Sequence, residues 1–126
     1  MVNKSHCRLL GHLLKVLLGF FYYYNDTQET DIEIVTYEPD QVYFTNQPVH
    51  YGSPSTVSAP SPADLTDNYH EYRLDWIEGQ TLYYIDGVLV GNLTDNVPSI
   101  PGQWMWNNWR YSIPQICNCR VPANTH

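Results

Sequence analysis

Polar and apolar residues alternate along much of the central part of the chain, and a period of two residues is typical of half-buried β-strands. This pattern predicts a series of short strands, with a long loop rich in Ser, Pro and Gly over 48–62. The predicted strands cover 20–24, 29–37, 41–45, 69–77, 81–85, 88–90 and 104–109. Such an arrangement favours an all-β fold in which two sheets pack as a sandwich.

The most regular part of the pattern is 69–90, which predicts three antiparallel strands in succession. Asp86-Gly87 favours a type I′ hairpin turn, because both central positions of that turn need positive φ. His70, Tyr72, Leu74 and Trp76 share one face of their strand. Core packing is therefore expected for that face, and for His70 contact with a ligand is the alternative.

Charge is distributed unevenly along the 126 residues. All 13 acidic residues lie between Phe20 and Trp109, where Arg73 is the only lysine or arginine, while the basic residues otherwise lie within 1–19 and 110–126. The field of such an acidic body repels nucleic acid, so no nucleic-acid partner is predicted. The chain is thus divided into an atypical basic-apolar segment at 1–19, a body at 20–109 and an atypical tail at 110–126.

The segment at 1–19 is compatible with a short helix, but it resembles neither a good signal peptide nor a stable membrane span, since Lys15 interrupts its apolar stretch. Three Asn-x-Ser/Thr triplets begin at Asn3, Asn25 and Asn92. Asn25 and Asn92 are the predicted glycosylation sites, and they favour an extracellular or cell-wall location. Cys117 and Cys119 lack companion ligands nearby, so no metal and no cofactor are predicted.

A row of acids stands out in the strand at 29–37. Glu29, Asp31 and Glu33 share one face, and Ile32 and Ile34 occupy the other. A solvated acidic face is the ordinary interpretation of so short a pattern, but the apolar opposite face anchors this strand in a core. Repulsion between close carboxylates raises at least one pKa, which leaves a protonated acid beside an ionised one. Glycoside hydrolysis needs that combination.

Several segments resemble glycoside hydrolase family 16, which includes lichenases, laminarinases and xyloglucan transglycosylases. Glu29-Thr-Asp-Ile-Glu33 resembles the catalytic signature of the family, and the run from Phe20 to Gln28 resembles the strand that leads into it. His70-Glu-Tyr-Arg-Leu-Asp-Trp76, Leu82-Tyr-Tyr-Ile-Asp-Gly-Val88 and the segment from Pro98 to Trp109 resemble three later motifs, in the same order. The resemblance covers about 19–109 and implies a concanavalin A-like β-jelly roll.

The resemblance also implies site residues and a substrate. Glu29 would be the nucleophile, Glu33 the acid/base and Asp31 an assisting residue in a retaining glycosidase that cleaves β-1,3/1,4-glucan. The predicted substrate-binding residues are those with rings that can stack on or contact a sugar, namely Tyr24, His70, Trp104, Trp106 and Trp109. At least one of the three tryptophans is expected to belong to the core.

Two alternatives to an active enzyme follow from the same features. An inactive, lectin-like carbohydrate-binding domain would use the aromatic residues and not the acids. A non-functional fragment is the other, since the family's strands before and after 20–109 have no counterpart in the pattern, so we expect an incomplete jelly roll. Circular dichroism and size-exclusion chromatography of the expressed chain separate a folded domain from such a fragment.

Overall fold

The computed structural model describes residues 2–8, 16–110 and 118–120, with side chains for Lys4 and 17–109. Within these residues the chain forms ten strands in two five-stranded antiparallel sheets, in the orders β10-β1-β6-β7-β8 and β5-β4-β3-β2-β9. The strands are β1 Val2–Arg8, β2 Val16–Asn25, β3 Gln28–Val35, β4 Gln41–Asn46, β5 Ser55–Pro60, β6 His70–Ile77, β7 Gln80–Ile85, β8 Val88–Leu93, β9 Gln103–Arg110 and β10 Asn118–Arg120. The predicted all-β jelly roll is confirmed.

The structure differs from the predicted elements at three places. Ser55–Pro60 is a strand within the predicted loop, and it pairs with β4 at the edge of its sheet, where a proline at the strand end costs no ladder bond. The prediction of a short N-terminal helix is wrong for the described part of 1–19. Val2–Arg8 is a strand that pairs with β6, and β2 begins at Val16. The patternless tail contains the three-residue strand β10.

The predicted hairpin at Asp86-Gly87 is confirmed. Asp86 has φ of 49° and Gly87 has φ of 79°, which are the left-handed values that a type I′ turn requires. The Asp86 carboxylate also accepts the backbone N–H of Glu71 at 2.8 Å and contacts His70 Nδ1 at 2.7 Å. The turn therefore fastens the start of β6 to the end of β7.

The core lies between the two sheets and is built from the inward faces of β2, β3 and β4 against β6 and β7. Phe20 stacks on Tyr72 with ring centroids 5.6 Å apart, and Phe44 stacks on Tyr83 at 4.7 Å. Ile32 between them is completely buried. Burying each such side chain contributes roughly 1.5–3 kcal/mol, so the strand with the acids is held by its apolar face.

A buried polar network also joins the sheets. The Tyr83 hydroxyl lies 2.7 Å from Thr30 Oγ1 on β3 and 3.0 Å from Asn46 Oδ1 on β4. Thr81 Oγ1 donates to the same Asn46 oxygen at 3.1 Å, and Asn46 Nδ2 donates to the carbonyl of Asp95 at 2.9 Å. Burial raises the pKa of Tyr83 to about 12. The network satisfies polar groups that would be costly to bury alone.

The part of the chain that the structure describes holds no helix long and apolar enough to cross a membrane.

Candidate active site

The acidic row lies at the centre of its sheet, on the face that turns away from the core. β3 is the middle strand of β5-β4-β3-β2-β9, and Glu29, Asp31 and Glu33 occupy alternate positions on it. The intervening Thr30 and Ile32 are fully buried in the sandwich. The strand period thus places three carboxyl groups on one surface.

Asp31 is the most buried of the three acids, with 6% of its surface exposed. Gln47 Nε2 donates a hydrogen bond to Asp31 Oδ2 at 2.9 Å, and a second hydrogen bond joins the Asp31 and Glu29 side chains. Burial is the main cause that raises the Asp31 pKa to about 8, opposed by the Gln47 bond and reinforced by the charges of Glu29 and Glu33. Asp31 is therefore protonated at neutral pH and donates to Glu29.

The two glutamates also have raised pKa values, for partly different reasons. Burial raises the Glu29 pKa, the hydrogen bond from Asp31 lowers it, and the charge of Asp26 raises it. Burial and then the charge of Glu29 raise the Glu33 pKa. The Asp31 hydrogen bond thus favours the ionised form of Glu29, while Glu33 is favoured as a proton donor. The sequence predicts repulsion as the cause of the shifts, whereas desolvation contributes more.

The neighbouring strands supply an aromatic and polar surface beside the acids. On β2, Phe21 lies opposite Asp31 and Tyr23 lies opposite Glu29; on β4, Tyr43 lies opposite Glu33. The hydroxyl of Tyr23 donates to Asp26 Oδ1 at 2.8 Å, and that of Tyr43 donates to Glu38. Directly paired residues of antiparallel strands share a face, so these rings border the acidic row.

Gly19 creates a gap in β2 next to Glu33. It pairs with Glu33 on one side and with Asn107 of β9 on the other. A Cβ atom at Gly19 would lie 2.7 Å from Asn107 Oδ1, so any larger residue would require the Asn107 side chain to move. Asn107 Oδ1 is buried without a hydrogen-bond partner among the described residues. Asn107 therefore lies on the outer face of the sheet, across Gly19 from Glu33.

The structure brings one of the predicted sugar-contacting tryptophans to the acidic face. Trp109 pairs with Leu17 and lies two residues after Asn107, so the two residues share the outer face of β9. Its side chain is 67% exposed. Trp104 and Trp106 pair with Tyr22 and Phe20, whose side chains are buried on the inner face. Trp104 packs on the core, and Trp106 lies on the same inner side with 51% of its surface exposed.

The structure does not bring His70 to the acids. His70 lies on β6 in the other sheet and is buried, with Nδ1 held by Asp86 and Nε2 at 3.3 Å from Asp64 Oδ1. Tyr24 is 53% exposed at the end of β2, where the pairing with β3 shifts register between Tyr23 and Asn25. Tyr24 is therefore the neighbour along the chain of Tyr23, which lies opposite Glu29.

Asn25 and Asn92, the two predicted glycosylation sites, both have exposed side chains. Asn25 lies at the β2–β3 turn, where its Oδ1 accepts hydrogen bonds from Thr27 N and Thr27 Oγ1, each at 3.0 Å. Asn92 lies on β8, the edge strand of its sheet. The side chains of Asn3, Cys7, Cys117 and Cys119 lie outside the described residues.

Sequence reasoning missed four residues at the site. Gln47 follows β4 and Asn107 lies within an aromatic strand, so neither belongs to a local acidic pattern. Phe21 and Tyr43 are alternating strand residues whose neighbours in space depend on pairing register. A register assignment between the predicted strands is the signal that would have identified them.

The two-sheet jelly roll is the fold of a solved beta-glucanase, and comparison with families of known proteins points to the same class. Residues 16–113 match the family described as Glycosyl hydrolases family 16. The chain belongs to this family.

Relatives and solved structures agree with the family. The Beta-glucanase of Paenibacillus macerans is 35% identical over 81 residues, which are 64% of this chain and 34% of that protein. The Beta-glucanase of Bacillus licheniformis is 28% identical over 113 residues, 86% of this chain and 44% of that protein. A solved Bacillus licheniformis beta-glucanase has a TM-score of 0.72 and 25% identity, covering 86% of this chain and 52% of that one. The chain thus spans about half or less of these relatives.

Proposed function

We propose that this chain is a glycosidase domain that cleaves β-1,3/1,4-glucan with retention of anomeric configuration. The observation that carries the proposal is the acidic row itself, in which a protonated Asp31 donates to Glu29 while Glu33 stands beside them with a raised pKa. Retaining glycosidases need one ionised carboxylate and one carboxylic acid at the scissile bond. Family membership and the printed names of the β-glucanase relatives support the substrate class.

In the first step, the Glu29 carboxylate attacks the anomeric carbon. Glu33 gives its proton to the glycosidic oxygen, so that the C–O bond breaks and the leaving sugar departs with its hydroxyl. In the second step, the ionised Glu33 takes a proton from water, and that water displaces Glu29 from the sugar. Asp31 supports both steps by keeping its proton on the hydrogen bond to Glu29, which limits the negative charge on the row.

The surface around the acids supplies binding groups for the polysaccharide. Trp109 offers an exposed ring to the apolar C–H face of a sugar, and Asn107 lies two residues before it on the same face of β9. Both stand on the same face as Glu33, across β2. We therefore assign the strip over β2 and β9 to substrate binding, and an extracellular or cell-wall location follows from a polysaccharide substrate.

Substitution of the acids tests the proposal. Glu29→Gln should abolish release of reducing ends from lichenan, and Glu33→Gln should slow it by about 10²–10⁴-fold, while both variants still bind the glucan. Glu78→Gln, at the exposed β6–β7 turn, is the matched control and should keep full activity. Equal turnover by Glu29→Gln and the control would reject the assignment. Binding without hydrolysis in the unmutated chain would favour a carbohydrate-binding domain.

Azide separates the two glutamate roles. With an activated aryl glucoside, Glu29→Ala leaves space for azide on the nucleophile's side, so the product should be the α-glycosyl azide. Glu33→Ala still forms the glycosyl-enzyme, which azide should open to the β-glycosyl azide. The reverse pattern of products, read by proton NMR of the anomeric hydrogen, would exchange the two roles.

A further inference from the structure

We propose that Cys7 of β1 and Cys119 of β10 form an intramolecular disulfide that joins the two ends of the chain in the oxidised protein. The register between these strands pairs His6 with Arg120, Cys7 with Cys119 and Arg8 with Asn118. Two of the three cysteines in the chain therefore occupy directly opposed positions on neighbouring strands.

The backbone geometry of such a pair suits a disulfide. Directly opposed residues of antiparallel strands have Cα atoms about 4.5 Å or about 5.5 Å apart, depending on whether the pair is hydrogen-bonded. Disulfides span Cα separations of about 4.4–6.8 Å. Either kind of pair is within this Cα range, so the spacing of the two strands is compatible with the cross-link.

The reaction is a thiol–disulfide exchange with a small-molecule disulfide such as oxidised glutathione. The thiolate of one cysteine attacks the small disulfide and releases one small thiol, leaving a mixed disulfide on the protein. The second cysteine thiolate then displaces the other small thiol and closes the S–S bond. The two protein thiols lose two electrons and two protons, and the oxidant is reduced to two thiols.

The cross-link has a structural consequence because β10 is so short. It pairs with β1 through three positions, and β1 in turn pairs with β6. A bond between Cys7 and Cys119 closes a loop of nearly the whole chain, and cross-linking such a loop restricts the unfolded state strongly. The inference is independent of the glycosidase proposal, and an oxidising compartment is where the bond would persist.

The direct test maps the bond by mass spectrometry. The full chain carrying Cys117→Ser is folded, incubated with oxidised glutathione, alkylated and digested with trypsin without reduction. We expect peptides 5–8 and 111–120 to appear as one species, lighter than their sum by two hydrogen atoms. Cys7→Ser and Cys119→Ser should each lack it. Fragmentation of the same species from the unmutated chain assigns the linkage without any variant.

Stability gives a second readout. Reduction should lower the melting temperature of the oxidised unmutated protein and of Cys117→Ser by at least about 5 °C, and should leave Cys7→Ser and Cys119→Ser unchanged. Full alkylation of Cys7 and Cys119 after oxidation would overturn the proposal, as would a Cys7–Cys117 bond in the unmutated chain. Protection of the thiols by Zn²⁺ alone, reversed by a chelator, would also overturn it, in favour of a metal site.

Discussion

Replacing Asp31 by Asn should make the protein more stable at neutral pH while making it a poorer enzyme. Asp31 is 6% exposed, accepts a hydrogen bond from Gln47 and shares one with Glu29. An asparagine has the same shape, and it can accept from Gln47 through its oxygen and donate to Glu29 through its amide. The variant thus reproduces the protonated form of Asp31 without its ionisable group.

The size of the gain follows from the pKa of Asp31. It rises from its ordinary value of 3.8 to about 8 in the folded protein. Between these values the folded state holds a proton that the unfolded state has released, so stability falls by about 1.4 kcal/mol for each pH unit of increase. By pH 7 this amounts to about 4 kcal/mol, which Asp31→Asn recovers. Below about pH 4 both states are protonated and the gain disappears.

Urea unfolding followed by tryptophan fluorescence, at pH values from about 4 to about 8, measures this difference. The gain of Asp31→Asn over the unmutated chain should grow steadily with pH. Asp40→Asn, at an exposed position before β4, is the control and should show no such growth. A gain that does not depend on pH, or a loss near pH 8, would refute the charge argument. Turnover on lichenan should fall in Asp31→Asn, which is the stability–activity trade-off expected of an active-site group.

Three further predictions concern packing around the site. Gly19→Ala should displace the Asn107 amide and lower glucan turnover more than stability. When Gly19→Ala is added to Asn107→Ala, it should cost no further activity, which a double-mutant cycle of kcat/KM measures. Tyr83→Phe leaves buried polar partners unsatisfied and should lose about 1–3 kcal/mol in urea unfolding, whereas Tyr51→Phe at the surface should lose nothing. Asp86→Ala should lower the melting temperature more than Asp86→Asn, because asparagine tolerates the positive φ of the turn and alanine does not.

The alternating strands and the turn at Asp86-Gly87 were predictable because strand period and turn chemistry are local properties. β5 was not, since Ser, Thr and Pro in 55–60 show no apolar alternation, and its strand conformation depends on pairing with β4. The same limit applies to the site. The acidic row lies on one strand and is visible in the sequence. Gln47 contacts Asp31 from just beyond the end of β4, and Asn107 is aligned with Glu33 across β2 only through strand register.

For the tryptophans of β9, the sequence predicts which residues share a face but not which face meets the core. Alternation predicts that Trp104 and Trp106 share a face and that Trp109 lies on the opposite one, but it does not say which face meets the core. The pairing of β9 with β2 decides this, because Trp106 lies opposite the buried Phe20. Likewise His70 has a ring suited to sugar contact, but its strand belongs to the other sheet.

The hydrogen bonds of Tyr83 determine how the two layers of the sandwich are aligned. Apolar burial is non-directional, so the hydrogen bonds between the sheets add a directional preference to the packing of the two faces. The Tyr83 hydroxyl meets Thr30 and Asn46 in one alignment, and Thr30 is the direct neighbour of Glu29 and Asp31 along β3. A substitution at Tyr83 therefore acts on the strand that carries the carboxyl groups through its inner face. Libraries that aim to change specificity should keep Thr30, Asn46 and Tyr83 fixed and vary the outward positions of β2, β4 and β9.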